Sequence, residues 1–171
     1  MTVHRKIASQ TITDLNAQIL KKFLANQNNT EIKKSHLFEG RYENIYITEH
    51  QIPELTALLD EAIAQAKNIL NINNLRAGYW FNYMPPGSAT LIHSHDDYDE
   101  LLSGVYYVNV PENSGNLIVH DVADENSKEN IEITPKAGEF IFFKPDVRHE
   151  VSRNNSNEYR LSIGINFGVD K

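Results

Sequence analysis

"RLSIGINF", residues 160–167, alternates without a break. Leu161, Ile163, Ile165 and Phe167 fall on one side of an extended chain, and Arg160, Ser162, Gly164 and Asn166 on the other. The apolar side needs a core to pack against. The other side carries a guanidinium, a hydroxyl and an amide, and a buried charge without a partner is costly. Arg160 is therefore expected either at a solvent-facing sheet edge or opposite an anion. With Ser162 beside it on the same face, the second reading implies a wet pocket that takes an acidic ligand.

The same period of two runs back to about residue 76. "GYWFNYM", "SATLIH", "LSGVYYVNV", "GNLIVHD", "IEIT", "GEFIFFK" and "HEVS" precede the last strand, separated by turn signals such as "PPG", "PENSG" and "PKAG". Eight short strands with no helix between them predict an antiparallel sandwich or jelly roll. The first half reads differently. "TDLNAQILKKFLANQ" places Thr13 as an N-cap and Leu15, Ile19, Leu20, Phe23 and Leu24 on one helical stripe. A short strand is expected at 44–48. "PELTALLDEAIAQAKNILN" then starts a second amphipathic helix at Pro53. The fold class expected is α+β, mainly β, with the helices of residues 1–75 covering one outer face of a β core at 76–168. The whole of 1–171 reads as one domain.

Composition narrows the chemistry. Of 171 residues, 40% are apolar, enough for one core. Sixteen basic against 23 acidic residues give a net charge of −7, with no basic run of the kind that lines a nucleic-acid groove. Nucleic acid is not expected as a partner. No apolar run reaches signal-peptide or membrane length, so a soluble, cytoplasmic protein with no membrane partner is expected. There is no cysteine. Disulfides, thiolate nucleophiles and cysteine-held metals are excluded, and any metal must be held by His, Asp or Glu.

"HSHDD", residues 93–97, supplies such groups. Iron(II) sites that activate oxygen commonly take two histidines and one carboxylate on one side of the metal. His95 and Asp97 form an H-x-D pair, His93 lies on the same strand face as His95, and His149 starts a later strand of the same sheet. All four are candidate metal ligands. Asp121, at the end of "NLIVHD", is a second candidate carboxylate. Trp80, Phe81, Tyr106 and Tyr107 are expected in the core, since alternating strand aromatics usually pack.

These residues resemble a known family. "YWFNYMPPG", "HSH", "LSGVYYV", "PENSGNLIVHD", "PKAGEFIFFKPDVRHEV" and "RLSIGINF" are similar to stretches of small iron(II)/2-oxoglutarate oxygenases of the double-stranded β-helix (jelly-roll, cupin-like) class, relatives of prolyl and aspartyl hydroxylases. The resemblance covers about residues 76–168. It implies a hydroxylase that uses Fe(II), 2-oxoglutarate and O2 on an amino acid, peptide or protein and releases succinate and carbon dioxide. It further implies that His93 or His95, with His149, holds the iron, and that Arg160 and Ser162 bind the far carboxylate of 2-oxoglutarate. Such hydroxylases place the ligand histidine six residues after a glycine, which from Gly87 selects His93, whereas the H-x-D pair selects His95. Both stand as expectations. One departure is the acidic "DDYDE" after the histidines. A second reading is a cupin metal site of His93, His95, Glu100 and His149, belonging to an isomerase, another dioxygenase or a ligand-binding module. Arg160 with Ser162 separates the two, because a cupin site does not require them. The prime substrate and the oligomeric state are left open by the sequence.

Overall fold

The structure, a computed structural model, describes residues 3–95, 99–120 and 130–171. Its elements are β1 (His4–Ile7), α1 (Gln10–Thr13), α2 (Asn16–Asn26), β2 (Lys33–Phe38), β3 (Arg41–Tyr46) and α3 (Glu54–Leu70), then β4 (Leu75–Met84), β5 (Thr90–His93), β6 (Glu100–Asn109) and β7 (Leu117–His120). The chain closes with β8 (Asn130–Ile133), β9 (Glu139–Phe143), β10 (His149–Val151) and β11 (Arg160–Val169). All eight runs read from residue 76 onward form strands. They fold into two antiparallel sheets, a major one in the order β1-β9-β6-β11-β4-β3-β2 and a minor one in the order β5-β10-β7-β8. This is the expected double-stranded β-helix with helices on one outer face.

β11 is the centre of the major sheet, bonded to β4 on one side and β6 on the other. Its two faces separate as the alternation predicts. Leu161, Ile163, Ile165 and Phe167 are fully buried in a core with Phe23 of α2 and with Leu55, Leu58 and Ala62 of α3. The opposite face looks between the sheets, where Tyr107, Leu117, Val119, Ile141, Phe143 and Val147 make a smaller apolar cluster. The helices do not cover the molecule by stripe alone: α2 leaves Leu24 exposed, and α3 ends where Asn71 adopts a left-handed conformation.

The first half holds more strand than its periodicity predicts. β1 pairs with β9, and β2 and β3 form a hairpin that joins β4 through Ile45 and Phe81. β1 and β2 are edge strands without a fully buried residue, rich in polar and basic side chains, so they carry no apolar alternation for a sequence reading to detect. The expected cap also moves. Ser9 caps α1 by accepting from the Ile12 amide, and Thr13 lies inside that helix's last turn.

Candidate metal and cosubstrate site

A cavity of about 560 Å³ opens between the two sheets. Its floor is the polar face of β11 and the strands beside it, its roof is the minor sheet, and the β2–β3 hairpin walls one side. Register fixes which residues meet there. Across β11, Ser162 stands opposite Asn82 of β4 and Tyr107 of β6, and Gly164 stands opposite Trp80 and Val105.

His93, His95 and His149 come together at the roof. Each offers a ligand nitrogen, and these atoms all lie within 4.8 Å of one another. Strand pairing does most of this work, because His149 of β10 is the direct cross-strand partner of His93 on β5. His95 lies beyond the end of β5, where its amide donates to the Pro145 carbonyl at 2.7 Å, tying it to the turn that launches β10. The ring centroids are 4.3 Å apart for His93 and His149, 4.8 Å for His93 and His95, and 4.9 Å for His95 and His149.

Hydrogen bonds to backbone carbonyls orient two of the rings. His93 Nδ1 lies 2.6 Å from the Leu91 carbonyl, and His149 Nδ1 lies 3.1 Å from the Val147 carbonyl. A carbonyl only accepts, so each Nδ1 carries a proton, and Nε2 is the candidate ligand nitrogen of both rings. Bonding of the second ring nitrogen is the usual way in which a metal-binding histidine is oriented. His149 is buried, and burial, reinforced by His93, His95 and His120, pushes its pKa down to about 3 against the opposing pull of the Val147 carbonyl. It stays neutral, the state a ligand needs. At metal–nitrogen distances of about 2.1 Å, two ligands of one ion stand at most about 4.2 Å apart, so the three rings fit a single ion after small rotations. Among the described residues no carboxylate joins this group. Asp97 and Asp121, the two carboxylate candidates, lie outside the described residues. Glu100 faces Arg76 at 3.6 Å and is not part of the cluster, which removes the fourth ligand of the cupin reading.

Arg160 and Ser162 line the same cavity. Arg160 is 1% exposed, and both of its hydrogen bonds leave from Nη1, to the carbonyls of Gly115 at 2.8 Å and Ser114 at 3.4 Å. Its Nε is buried without a partner, and so is the Tyr107 hydroxyl. The guanidinium lies 5.1 Å from the centre of the Tyr107 ring. Burial lowers the Arg160 pKa and Tyr107 opposes that shift, yet an arginine remains charged in a protein. Burial also pushes Tyr107 up to about 12, so its hydroxyl is a neutral donor. A buried cation with no acidic partner among the described residues, next to an unpaired hydroxyl, has the donors to take an anion with two oxygens.

Three further residues escape the sequence reading. Phe81, Tyr106 and Tyr107 are buried in the core clusters as expected, Tyr107 in the smaller one where it also lines the cavity, whereas Trp80 turns to the cavity. The Trp80 ring is 5.3 Å from that of His95 and presses against Gly164, where a β-carbon would overlap the indole. In "GYWFNYM" both faces are aromatic, so alternation alone does not say which side is inward. Register does, because Trp80 pairs with Gly164 on the polar face of β11. Arg41 and Glu43 come from the hairpin, and nothing in their sequence neighbourhood marks them.

The comparisons with known proteins agree with this geometry. Among proteins of curated function, none matches the sequence. Residues 78–166 match the model of the family described as "Putative 2OG-Fe(II) oxygenase". A prolyl-4-hydroxylase from Pseudomonas putida superposes with a TM-score of 0.67 at 17% identity, covering 99% of this chain and 88% of its own. A Trichoplax adhaerens prolyl hydroxylase, solved with a peptide of the hypoxia inducible factor oxygen degradation domain, gives 0.69 at 17% identity, with coverages of 98% and 83%. The epimerase SnoN, solved with Fe3+, alpha ketoglutarate and nogalamycin RO, gives 0.72 at 14% identity, covering 98% and 78%. These likenesses show the fold, and the family match spans 89 of the 171 residues. The chain belongs to the 2OG-Fe(II) oxygenase family, and as an oxidoreductase of that family it uses iron(II), 2-oxoglutarate and O2.

Proposed function

We propose that the protein hydroxylates a C–H bond of an amino acid, a peptide or a protein side chain. In this reading His93, His95 and His149 hold iron(II), and Arg160, Ser162 and Tyr107 bind the carboxylate of 2-oxoglutarate remote from the metal. The observation that carries it is the pairing, in one cavity, of a three-imidazole cluster with a buried arginine that has no acidic partner among the described residues. When bound, iron and 2-oxoglutarate supply the oxidation: O2 is consumed, 2-oxoglutarate leaves as succinate and carbon dioxide, and the substrate gains a hydroxyl group.

The chain's own residues orient and enclose. Arg160 offers Nε and Nη2 to the carboxylate while Nη1 stays fixed on Gly115, and Tyr107 offers its hydroxyl from the neighbouring strand. Ser162, two residues along β11, adds a hydroxyl on the same face. Phe143, whose ring centre is 4.6 Å from that of His149, joins Val105 and Leu117 in keeping that part of the cavity apolar. Trp80 fills the space beside His95 and limits how closely a substrate approaches from that side.

The test is succinate formation with iron(II), 2-oxoglutarate and O2, run with candidate amino acids and peptides and without them. Substrate-stimulated succinate release, with a gain of one oxygen atom on the substrate by mass spectrometry, is the expected result. Failure of the metal-loaded protein to bind 2-oxoglutarate would overturn the reading.

A further inference from the structure

We propose that Glu43 is the hydrogen-bond acceptor by which this enzyme recognises its prime substrate, and that the substrate carries an N–H donor, as ammonium, guanidinium or amide, close to the bond that is oxidised. The inference rests on the reading just given and adds the chemical class of the substrate to it.

The argument begins with Arg41. Its side chain is largely buried beneath the hairpin, and its two terminal nitrogens serve four acceptors: Asn82 Oδ1 at 2.8 Å and the Tyr83 carbonyl at 3.4 Å from Nη1, and the Ala89 carbonyl at 3.1 Å and Thr90 Oγ1 at 3.2 Å from Nη2. Two nitrogens with two hydrogens each are thereby used up. Glu43 is the nearest acid, at 3.7 Å from Nη2, too far for a hydrogen bond. Arg41 therefore balances the charge of Glu43 without bonding to it.

Glu43 is left with an unmet demand. Its side chain is 13% exposed, it lines the cavity, and Oε1 is buried with no donor. A carboxylate oxygen in that state is costly unless something fills it. Four acceptors on β4, the β4–β5 connection and the first residue of β5 hold the terminal nitrogens of Arg41, and its Nε, itself buried without a partner, makes no bond to Glu43. The hairpin wall around Glu43 is polar as well. Asn44 donates to the Tyr46 hydroxyl at 3.2 Å, and that hydroxyl is 3.0 Å from Ser35 Oγ. These groups bond to one another, whereas no hydrogen bond to Glu43 forms among the described residues. A carboxylate takes only donors, and charge-assisted N–H donors are the strongest it can take.

The only tryptophan, Trp80, lines the same cavity and reports its occupancy. Zinc- and 2-oxoglutarate-loaded protein, without oxygen, is titrated with butylammonium, butylguanidinium and butyramide, and with methyl butyrate as a probe of similar size that has no N–H. Trp80 fluorescence and ligand-observed NMR follow binding. At least one N–H probe should bind saturably and more tightly than the ester. Glu43→Ala should weaken that binding about tenfold or more and Glu43→Gln several-fold, as expected for losing a charged or part of a charged hydrogen bond. Ester binding, zinc affinity and 2-oxoglutarate affinity should be unchanged in both variants. The proposal falls if no N–H probe saturates at tens of millimolar, if the ester binds as well, or if the N–H preference survives in Glu43→Ala. Wild-type protein that fails to bind 2-oxoglutarate would instead sink the underlying reading, so the two failures are distinguishable.

Discussion

Removing the Arg160 guanidinium tests the cosubstrate site most directly. The side chain is buried, is anchored through Nη1 to Gly115 and Ser114, and has Nε unpartnered beside the unpartnered Tyr107 hydroxyl. A carboxylate bound there gains a charge-assisted contact worth about 1.5–3 kcal/mol, so Arg160→Ala should weaken 2-oxoglutarate about 10- to 150-fold. The same change strips the Gly115 and Ser114 carbonyls of their donor, so a lower melting temperature is expected as well. Arg160→Lys controls for that: it keeps the charge but loses the fork, and should recover part of the affinity. The assay is calorimetric titration of 2-oxoglutarate into metal-loaded protein without oxygen, with metal affinity measured in parallel. Metal affinity should barely change, because Arg160 is not a ligand. An Arg160→Ala protein that binds metal and takes 2-oxoglutarate with wild-type affinity would refute the assignment.

Other outcomes follow from the same geometry. His149→Ala should abolish tight binding of iron(II) or a surrogate, and His93→Ala and His95→Ala should each weaken it, as metal titration would report; full retention in all three would remove the site. Asp97→Ala, measured in the same way, decides whether a carboxylate joins the imidazoles, and with three rings already converging it should keep stoichiometric metal. Gly164→Ala should push the indole away, visible as a changed Trp80 emission and weaker metal binding through His95. The Lys22 ammonium, hydrogen-bonded to Glu54, holds that carboxyl below its usual value of 4.5. A depressed acid stabilises the fold above pH 4.5 and loses that contribution as the pH falls through its folded value, so Lys22→Met should flatten the acid limb of stability in urea melts between about pH 3 and 7.

How much of this was legible in the sequence depends on whether a residue's role is local. The eight strands from about residue 76 announce themselves by short β-branched and aromatic runs between turn signals, even where, as in β9, both faces are buried, and "RLSIGINF" declares its polar face through Arg160. The histidines are legible by residue type and spacing, yet only pairing of β5 with β10 brings His93 opposite His149. Trp80 is expected in the core, and lines the cavity instead, because aromatics on both faces of a strand mask its orientation. Arg41 and Glu43 are invisible for a different reason: the hairpin reaches the cavity through a single paired position, Ile45 with Phe81, and no periodicity in residues 33–46 encodes that docking. β1 and β2 are missed because edge strands carry charge in place of alternation.

The seam between β5 and β10 is short. His149 pairs with His93 and Val151 with Thr90, and a register irregularity lies between the two pairs. Two of the three imidazoles stand on its opposite sides, so an ion gripped by both is a rivet through the join of the minor sheet that has the fewest paired residues. Ligand binding to the folded state alone stabilises it by mass action, and here that gain is concentrated at one join. Chelating the metal should therefore speed hydrogen exchange at residues 90–93 and 149–151 while β6 and β11, bonded along nearly their whole length, stay protected. Iron supply would then set how tightly the roof of the cavity is held together, so that scarcity loosens the fold at that seam.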